Sequence, residues 1–321
     1  MIMNSILNEI KKSNKIGITF HVSPDGDSLG SSLALLSGLI SIGKDAYISC
    51  MDDMPEVYSF LPSSQVIKNS TGEISSDTEC VIVLDCGDKK RINTSNINFA
   101  SRNYTLINID HHLSNELYGE LNYVDTNASS VGEIVYQMLN LLNIEITKDI
   151  AVCIYTSIIT DSGSFRYSGT TSVTHSIAGD LINTGIDFSE IHRIVFENKK
   201  FENLKLLGRV LSSMELINNS ICVMYVTKEM LGDLNLGCNI DTSDLIAEGM
   251  QIDSAETAVL FKECDDGIKI SLRSKSKVDV RKVAEKFGGG GHTRAAGISL
   301  SNCTLSDAKN TIIKELENEL I

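Results

Sequence analysis

Three apolar runs constrain this chain more than any other feature: Lys15-Ile-Gly-Ile-Thr-Phe-His-Val22, Cys80-Val-Ile-Val-Leu-Asp85 and Tyr104-Thr-Leu-Ile-Asn-Ile-Asp110. A strand with one face in water alternates apolar and polar residues. A run without that alternation is buried on both faces, which in a chain that also has helices means a parallel sheet covered by them. The intervening segments supply the helices. Ile2, Ile6 and Ile10 recur at helical spacing, and 29–42 is apolar and rich in Gly, Ser and Ala, which suits a helix packed closely on a sheet with Asp27 or Ser28 as its cap. Residues 45–50 read as a further strand, and 134–142, 149–160 and 174–184 as helices. Ser130-Val-Gly-Glu133 has capping-box spacing ahead of the first of these helices. Ligands bind such sheets at the carboxyl ends of the strands. That edge collects His21, Asp25, Asp27, Asp85, Asp110, His111 and His112.

At 321 residues the chain exceeds one ordinary core, so two domains are expected. The boundaries predicted are 1–187 for a large α/β domain, 188–216 for a charged, helix-like connector, and 217–321 for a smaller α/β domain. Strands at 221–226, 258–261, 268–272 and 297–300 build the last, with a helix that uses Val280, Val283, Ala284 and Phe287 and stops at Gly288. The net charge of −14 argues against sequence-independent binding to long nucleic acid, which depends on basic residues releasing counterions. The charge is uneven, however. Residues 269–294 carry eight basic and two acidic side chains, a net +6 that leaves the rest of the chain at −20. A phosphate-binding edge and a merely solvated face are both open readings of this stretch. Eight scattered cysteines without a Cys-x-x-Cys pair fit a reducing compartment, and neither a signal peptide nor a membrane-spanning run is present, so a cytoplasmic location is expected.

The chemistry lies in the carboxylates. Asp25-Gly26-Asp27 can aim two oxygens at one cation, but a calcium loop fails where Leu29 and Leu36 replace oxygen ligands. Asp85 ends a buried strand and Asp161 follows an apolar helix, positions that are costly for a carboxylate unless it is paired or bound to a cation. Together with the histidines they offer ligands for two divalent ions and a bridging carboxylate. An oxygen and imidazole set without thiolate favours Mn²⁺, with Co²⁺ or Mg²⁺ as substitutes. Paired ions of that kind serve hydrolysis at phosphorus. Gly288-Gly-Gly-Gly-His292-Thr-Arg294 is neither a P-loop nor a dinucleotide fingerprint. It reads either as a flexible turn or as glycine amides that surround an anion beside His292 and Arg294, with Arg273 as a second clamp. His175 and His192 read as structural. With no tryptophan and 6% aromatics an extended base-stacking platform is not expected, and Phe165, Tyr167 and Phe287 are assigned to core packing ahead of base contact.

Taken in order, His21-x-x-Pro-Asp-Gly-Asp-Ser-x-Gly-Ser, Val83-Leu-Asp85, Asp110-His-His112, Asp161-x-Gly-x-Phe165, Ser271-Leu-Arg-Ser274 and Phe287-Gly-Gly-Gly-Gly-His-x-x-Ala-Ala-Gly297 resemble the DHH phosphoesterase family over nearly the whole chain, with a C-terminal DHHA1 domain. The compact size is similar to that of its bacterial oligoribonucleases that also dephosphorylate 3′-phosphoadenosine 5′-phosphate. The resemblance implies one metal on His21, Asp25 and Asp85 and a second on Asp27, Asp85, His111 and Asp161. It implies that His112 acts on the scissile phosphate, that Asp110 orients the imidazoles, and that Arg273, His292, Arg294 and the backbone of Gly289, Gly290 and Gly291 grip substrate phosphate. Ser162 departs from the family's usual threonine. The partners implied are short RNA or a small nucleotide, with no long nucleic acid and no membrane; a homodimer is allowed. The rival readings are a phosphodiesterase for linear or cyclic dinucleotides and a non-enzymatic nucleotide sensor.

Overall fold

The computed structural model describes residues 2–240 and 242–320, apart from the side chains of Ser243 and His292. The chain divides into two compact units, Met1–Asn198 and Lys199–Ile321.

In the first unit, α1 (Ile2–Lys12), β1 (Lys15–Thr19), α2 (Gly26–Ser41), β2 (Asp45–Ile48), α3 (Gln65–Lys68), β3 (Cys80–Leu84), β4 (Thr105–Asp110), β5 (Leu121–Val124), α4 (Val131–Leu141), α5 (Lys148–Asp161), α6 (Ser172–Asn183) and α7 (Phe188–Phe196) follow in order. The five strands form a parallel sheet in the order β2-β1-β3-β4-β5. The unbroken run in β3 is now explained. Cys80, Ile82 and Leu84 join the main core beneath the helices, while Val81 and Val83 point to the other face, against Ile74, Cys86, Ile92 and Leu106.

Helix α2 is buried nearly all round, as expected of a helix lying between other elements rather than at the surface. Its glycines meet another helix, not the sheet as the sequence suggested. A Cβ on Gly26 would come within 2.4 Å of Thr160, and one on Gly30 within 2.4 Å of the Cys153 carbonyl oxygen. The helices α2 and α5 therefore pack closely, with main chain against main chain at Gly30. Gly30→Ala should force them apart and cost about 1–3 kcal/mol, read as a lower denaturation midpoint; an unchanged midpoint would contradict this packing. The cap also differs from expectation. Asp25, not Asp27 or Ser28, is the N-cap: its side chain accepts from the Ser28 amide at 3.0 Å, and the Ser28 hydroxyl accepts from the Asp25 amide at 2.9 Å. Helix α4 is capped by Ser130 as predicted, but Glu133 does not close the box. It accepts instead from Ser129 and from the Thr174 hydroxyl, tying α4 to α6.

The stretch 188–216 is two helices and a short strand rather than one connector. Ile191 of α7 is buried in the first unit's core, whereas Leu206 and Val210 of α8 (Phe201–Ser212) are buried in the second's. The second unit continues with β6 (Glu215–Ile217), β7 (Ile221–Val226), α9 (Lys228–Asp233), α10 (Ser243–Gly249), β8 (Thr257–Cys264), β9 (Gly267–Ser274), α11 (Val280–Glu285), β10 (Gly290–His292), β11 (Ala295–Ser301) and α12 (Leu305–Leu320). Its mixed sheet runs β10-β11-β9-β8-β7-β6. The glycine run begins in the turn after α11 at Gly288 and ends in a strand at the sheet's edge, with Gly290 opposite Gly297 and His292 opposite Ala295. Side chains on Gly289 or Gly291 would strike the Gly297 or Ala295 carbonyl oxygen at 2.2 and 2.4 Å, while one on Gly290 would meet nothing within 4 Å. All eight cysteines are free, and no helix of the described residues is long and apolar enough to cross a membrane.

Candidate metal centre

Four segments bring acidic and imidazole groups to the carboxyl edge of the first sheet. The turn after β1 carries His21 and Asp25, the first turn of α2 carries Asp27, and Asp85 leaves β3. Asp110 ends β4, His111 and His112 follow it, and Asp161 is the last residue of α5. Asp85 turns the chain with a left-handed backbone, φ 53°, a conformation that costs most non-glycine residues stability and tends to persist at functional sites.

Among the described residues, three groups of donor atoms each lie within 4.8 Å of one another: His21, Asp25 and Asp85; Asp27, His111 and Asp161; and Asp85, Asp110, His111 and His112. Asp85 links the first two groups. One of its oxygens lies 3.3 Å from His21 Nε2 and the other 3.8 Å from His111 Nε2. Asp161 and Asp27 approach the same His111 nitrogen at 3.3 and 3.8 Å.

Backbone carbonyls fix both imidazoles. His21 Nδ1 donates to the Val22 carbonyl at 2.9 Å and His111 Nδ1 to the Ala128 carbonyl at 3.1 Å, since a carbonyl can only accept. Each neutral ring then presents the lone pair of Nε2 to the carboxylates. His111 Nε2 and Asp85 Oδ1 are buried without a hydrogen-bond partner. Two such acceptors facing each other are unfavourable unless something positive stands between them. A divalent cation satisfies both, so the donor set fits a divalent metal.

The electrostatics agree. Burial, with the charges of Asp85, Asp161 and Asp25, pushes the Asp27 carboxyl well above its usual range even though it accepts from the Val131 and Gly132 amides and the Ser157 hydroxyl. Burial likewise raises Asp85, and it raises Asp161 to about 6 against the opposing pull of His111. Burial lowers His21, but Asp25 and Asp85 outweigh it and bring the imidazole to about 10. Protons thus gather where a cation would sit.

His112 faces differently. Its Nδ1 donates to Asp110 at 2.8 Å, and that bond raises the half-exposed ring to about 8. Asp110 also accepts from the His111 amide at 2.8 Å and from Asn115 at 2.5 Å, so it holds both histidines of the tandem. The sequence reading missed Asn115, although its place three residues after His112 is a signal. It also missed Arg91, an exposed guanidinium 3.4 Å from His21 Nδ1 with no ion pair among the described residues, in the basic run Lys89-Lys90-Arg91. His175 and His192, read only as structural, brace the turn after Asp161: His175 stacks on Phe165 at 4.9 Å, and His192 Nε2 lies 2.9 Å from the Ser164 hydroxyl.

In the second unit the phosphate-gripping candidates separate. Arg273 is half-buried; its guanidinium donates to the Leu272 carbonyl at 3.0 Å, and burial lowers its pKa. Arg294, by contrast, is committed to the Val278 carbonyl at 2.8 Å and to the Ser276 carbonyl, holding the loop between β9 and α11. Lys275 caps the Ile252 carbonyl and Lys286 pairs with Glu315, so part of the basic run serves local structure. The backbone of His292 lies in β10; its side chain is outside the described residues.

Residues 15–158 match the DHH family, N-terminal domain, and residues 219–321 match the DHHA1 domain. The chain is 30% identical to the bifunctional oligoribonuclease and PAP phosphatase NrnA of Thermus thermophilus over 306 residues, covering 95% of this chain and 90% of that protein. It is also 30% identical to the protein of the same description from Bacillus subtilis, covering 92% of each. Among solved structures, an exopolyphosphatase-related protein from Bacteroides fragilis superposes with a TM-score of 0.90 at 29% identity, covering 99% of this chain and 96% of that one.

Proposed function

The chain belongs to the DHH family and is a hydrolase of phosphate esters, and on that premise we propose that it acts in the cytoplasm on short oligoribonucleotides, releasing mononucleotides, and on 3′-phosphoadenosine 5′-phosphate, releasing AMP. The observation that carries this reading is Asp85, whose two oxygens face the imidazoles of two different donor groups. His21, Asp25 and Asp85 hold one divalent cation, and Asp27, Asp85, His111 and Asp161 hold the other, with Mn²⁺ the ion best suited to the set and Co²⁺ or Mg²⁺ as substitutes. Bound there, the cations supply positive charge that acidifies an attacking water and neutralises phosphate oxygens.

The chain's own residues do the rest. Asp110 keeps the His112 ring oriented and protonated near neutral pH, so that its free Nε2–H donates a proton to the leaving oxygen as the P–O bond breaks. The Val22 and Ala128 carbonyls hold the Nδ1–H of His21 and His111 and so leave Nε2 of each ring as the nitrogen to face a cation. Substrate phosphate is taken up in the second unit by Arg273, His292 and the Gly289–Gly291 backbone. Arg273 is favoured because it has no carboxylate partner among the described residues, and Gly290 because nothing in the chain itself forbids a side chain there. Arg294 is withdrawn from contact with phosphate and assigned to its loop.

A Mn²⁺ hydrolysis panel tests the proposal with 5′-phosphorylated RNA and DNA of increasing length, 3′-phosphoadenosine 5′-phosphate, linear dinucleotides and pyrophosphate. Short RNA and the adenosine bisphosphate should be consumed fastest, and His111→Ala should abolish turnover. A folded, metal-loaded protein that leaves both untouched would sink the proposal.

A further inference from the structure

The turn after α5 presents an aromatic ring in a way that the metal centre alone does not explain. Gly163, Ser164 and Phe165 are consecutive left-handed residues, with φ of 55°, 59° and 64°. They reverse the chain tightly enough for the Arg166 and Tyr167 amides both to donate to the Ser162 carbonyl at 3.0 Å. The Tyr167 ring is thereby laid back over Gly163. A Cβ on that glycine would lie 2.5, 2.6 and 2.7 Å from ring atoms Cζ, Cε2 and Cε1. These near-equal distances, with the hydroxyl not among the three nearest atoms, mean that the glycine meets the ring's face rather than its edge. The residue is nevertheless 59% exposed, so the opposite face is open to solvent.

Tyr167 is the most exposed aromatic of the first unit among the described residues. The other two exposed rings there each pack edge-on against a second aromatic, Phe99 on Tyr118 and Phe188 on Tyr155. Tyr167 has no ring partner in the described structure. The turn that carries it is held from three sides: Phe165 donates its amide to the Ser162 hydroxyl at 3.0 Å and stacks on His175, Ser164 meets His192, and Arg166 Nε donates to the Gly163 carbonyl at 2.7 Å. A flat apolar face, rigidly mounted over a glycine that lies two residues beyond Asp161 in the chain, suits a planar, π-bearing group of the substrate. Two of the three residues that allow this placement, Ser164 and Phe165, adopt a conformation unfavourable for side-chain-bearing residues, which plain core packing would not require.

We propose that Tyr167 is a specificity-determining residue whose open face stacks a nucleobase of the substrate, which rests on the reading of this chain as a nucleotide phosphoesterase. The platform discriminates by π-surface rather than by base identity, because every base has a face to offer. The test is binding rather than turnover. In Mn²⁺, calorimetric Kd values are compared for AMP and for ribose 5-phosphate, which carries the same phosphate without a base. The parent should bind AMP about tenfold more tightly, within the range for one base–aromatic stack. Tyr167→Ala and Tyr167→Leu should bring the two ligands to equal affinity by weakening AMP alone, and Tyr167→Phe should restore the preference. Equal affinities in the parent, or a loss in both variants that falls equally on AMP and ribose 5-phosphate, would overturn the platform. AMP preference that depends on Tyr167, in a protein that hydrolyses none of the substrates in the panel, would instead leave the platform standing and remove the proposed function.

Discussion

Asp85→Asn is expected to lower kcat/KM at least a thousandfold, about 4 kcal/mol of transition-state stabilisation, while making the metal-free protein more stable. The two effects share one cause. Burial, with Asp25 beside it, raises the Asp85 carboxyl, so at neutral pH its charge is less favourable in the folded protein than in water. A neutral amide of the same shape removes that penalty, and asparagine tolerates the left-handed backbone at this position. The same exchange takes a negative charge from both donor groups, because one carboxylate serves His21 and His111 together. Kinetics, Mn²⁺ calorimetry and melting in chelator read the three consequences separately. A variant retaining activity within tenfold of the parent would show that Asp85 does not bridge the two groups.

The second large effect concerns pH and metal together. Protein stripped with a chelator should lose stability steadily as pH rises from about 4 to 9, and Mn²⁺ should add progressively more stability over that range. A carboxyl whose folded pKa is raised contributes stability below its unfolded value that disappears as pH climbs through the folded one. Asp27, Asp85 and Asp161 all shift this way, Asp161 reaching about 6. His21, raised to about 10 through Asp25 and Asp85 against its burial, acts in the same sense at higher pH: its contribution is complete below its unfolded pKa and lost as pH approaches 10. Asp110 works in the opposite direction, since His112 and Asn115 outweigh burial and lower it; its stabilisation is lost only under strong acid. A divalent cation competes with the protons that these groups would otherwise hold, so its stabilisation grows as they leave. Melting curves with and without Mn²⁺ at pH 5.5 and 8 check this. A metal-induced rise in Tm that is no larger at pH 8 would count against a cation shared among these residues.

Much of this site was legible in the sequence because each donor ends an apolar run or begins a helix, and those boundaries are written in hydrophobic periodicity. Distance along the chain concealed the rest. Nothing local to Asp27 announces that it accepts from the Val131 and Gly132 amides 104 and 105 residues away. The edge strand β5 was not foreseen, since Leu121-Asn-Tyr-Val124 is half-buried throughout and lacks a clear pattern. The glycine strand β10 has no side chains to alternate until His292. For α12 the signal was present: Ala308, Ile312, Ile313 and Leu316 recur at helical spacing and are buried. The aromatic reading failed at one residue of three. Phe165 and Phe287 pack against the cores as expected, but the left-handed turn that exposes Tyr167 depends on packing from α6 and α7.

The close contact between α2 and α5 bears on the spacing of two acidic side chains. Asp27 rides on the first turn of one helix and Asp161 on the last of the other; Gly30 sets the first helix directly against the Cys153 carbonyl of the second, and at Gly26 only the Thr160 side chain lies between them. Two helices in van der Waals contact cannot approach further, and main-chain atoms yield less readily than flexible side chains. The spacing of the two backbone segments that carry these carboxylates is therefore set by the helix packing. Ca²⁺ needs oxygens at about 2.3–2.6 Å and Mg²⁺ at about 2.0–2.1 Å, so carboxylates on anchors of fixed spacing would hold a larger and a smaller ion unequally well.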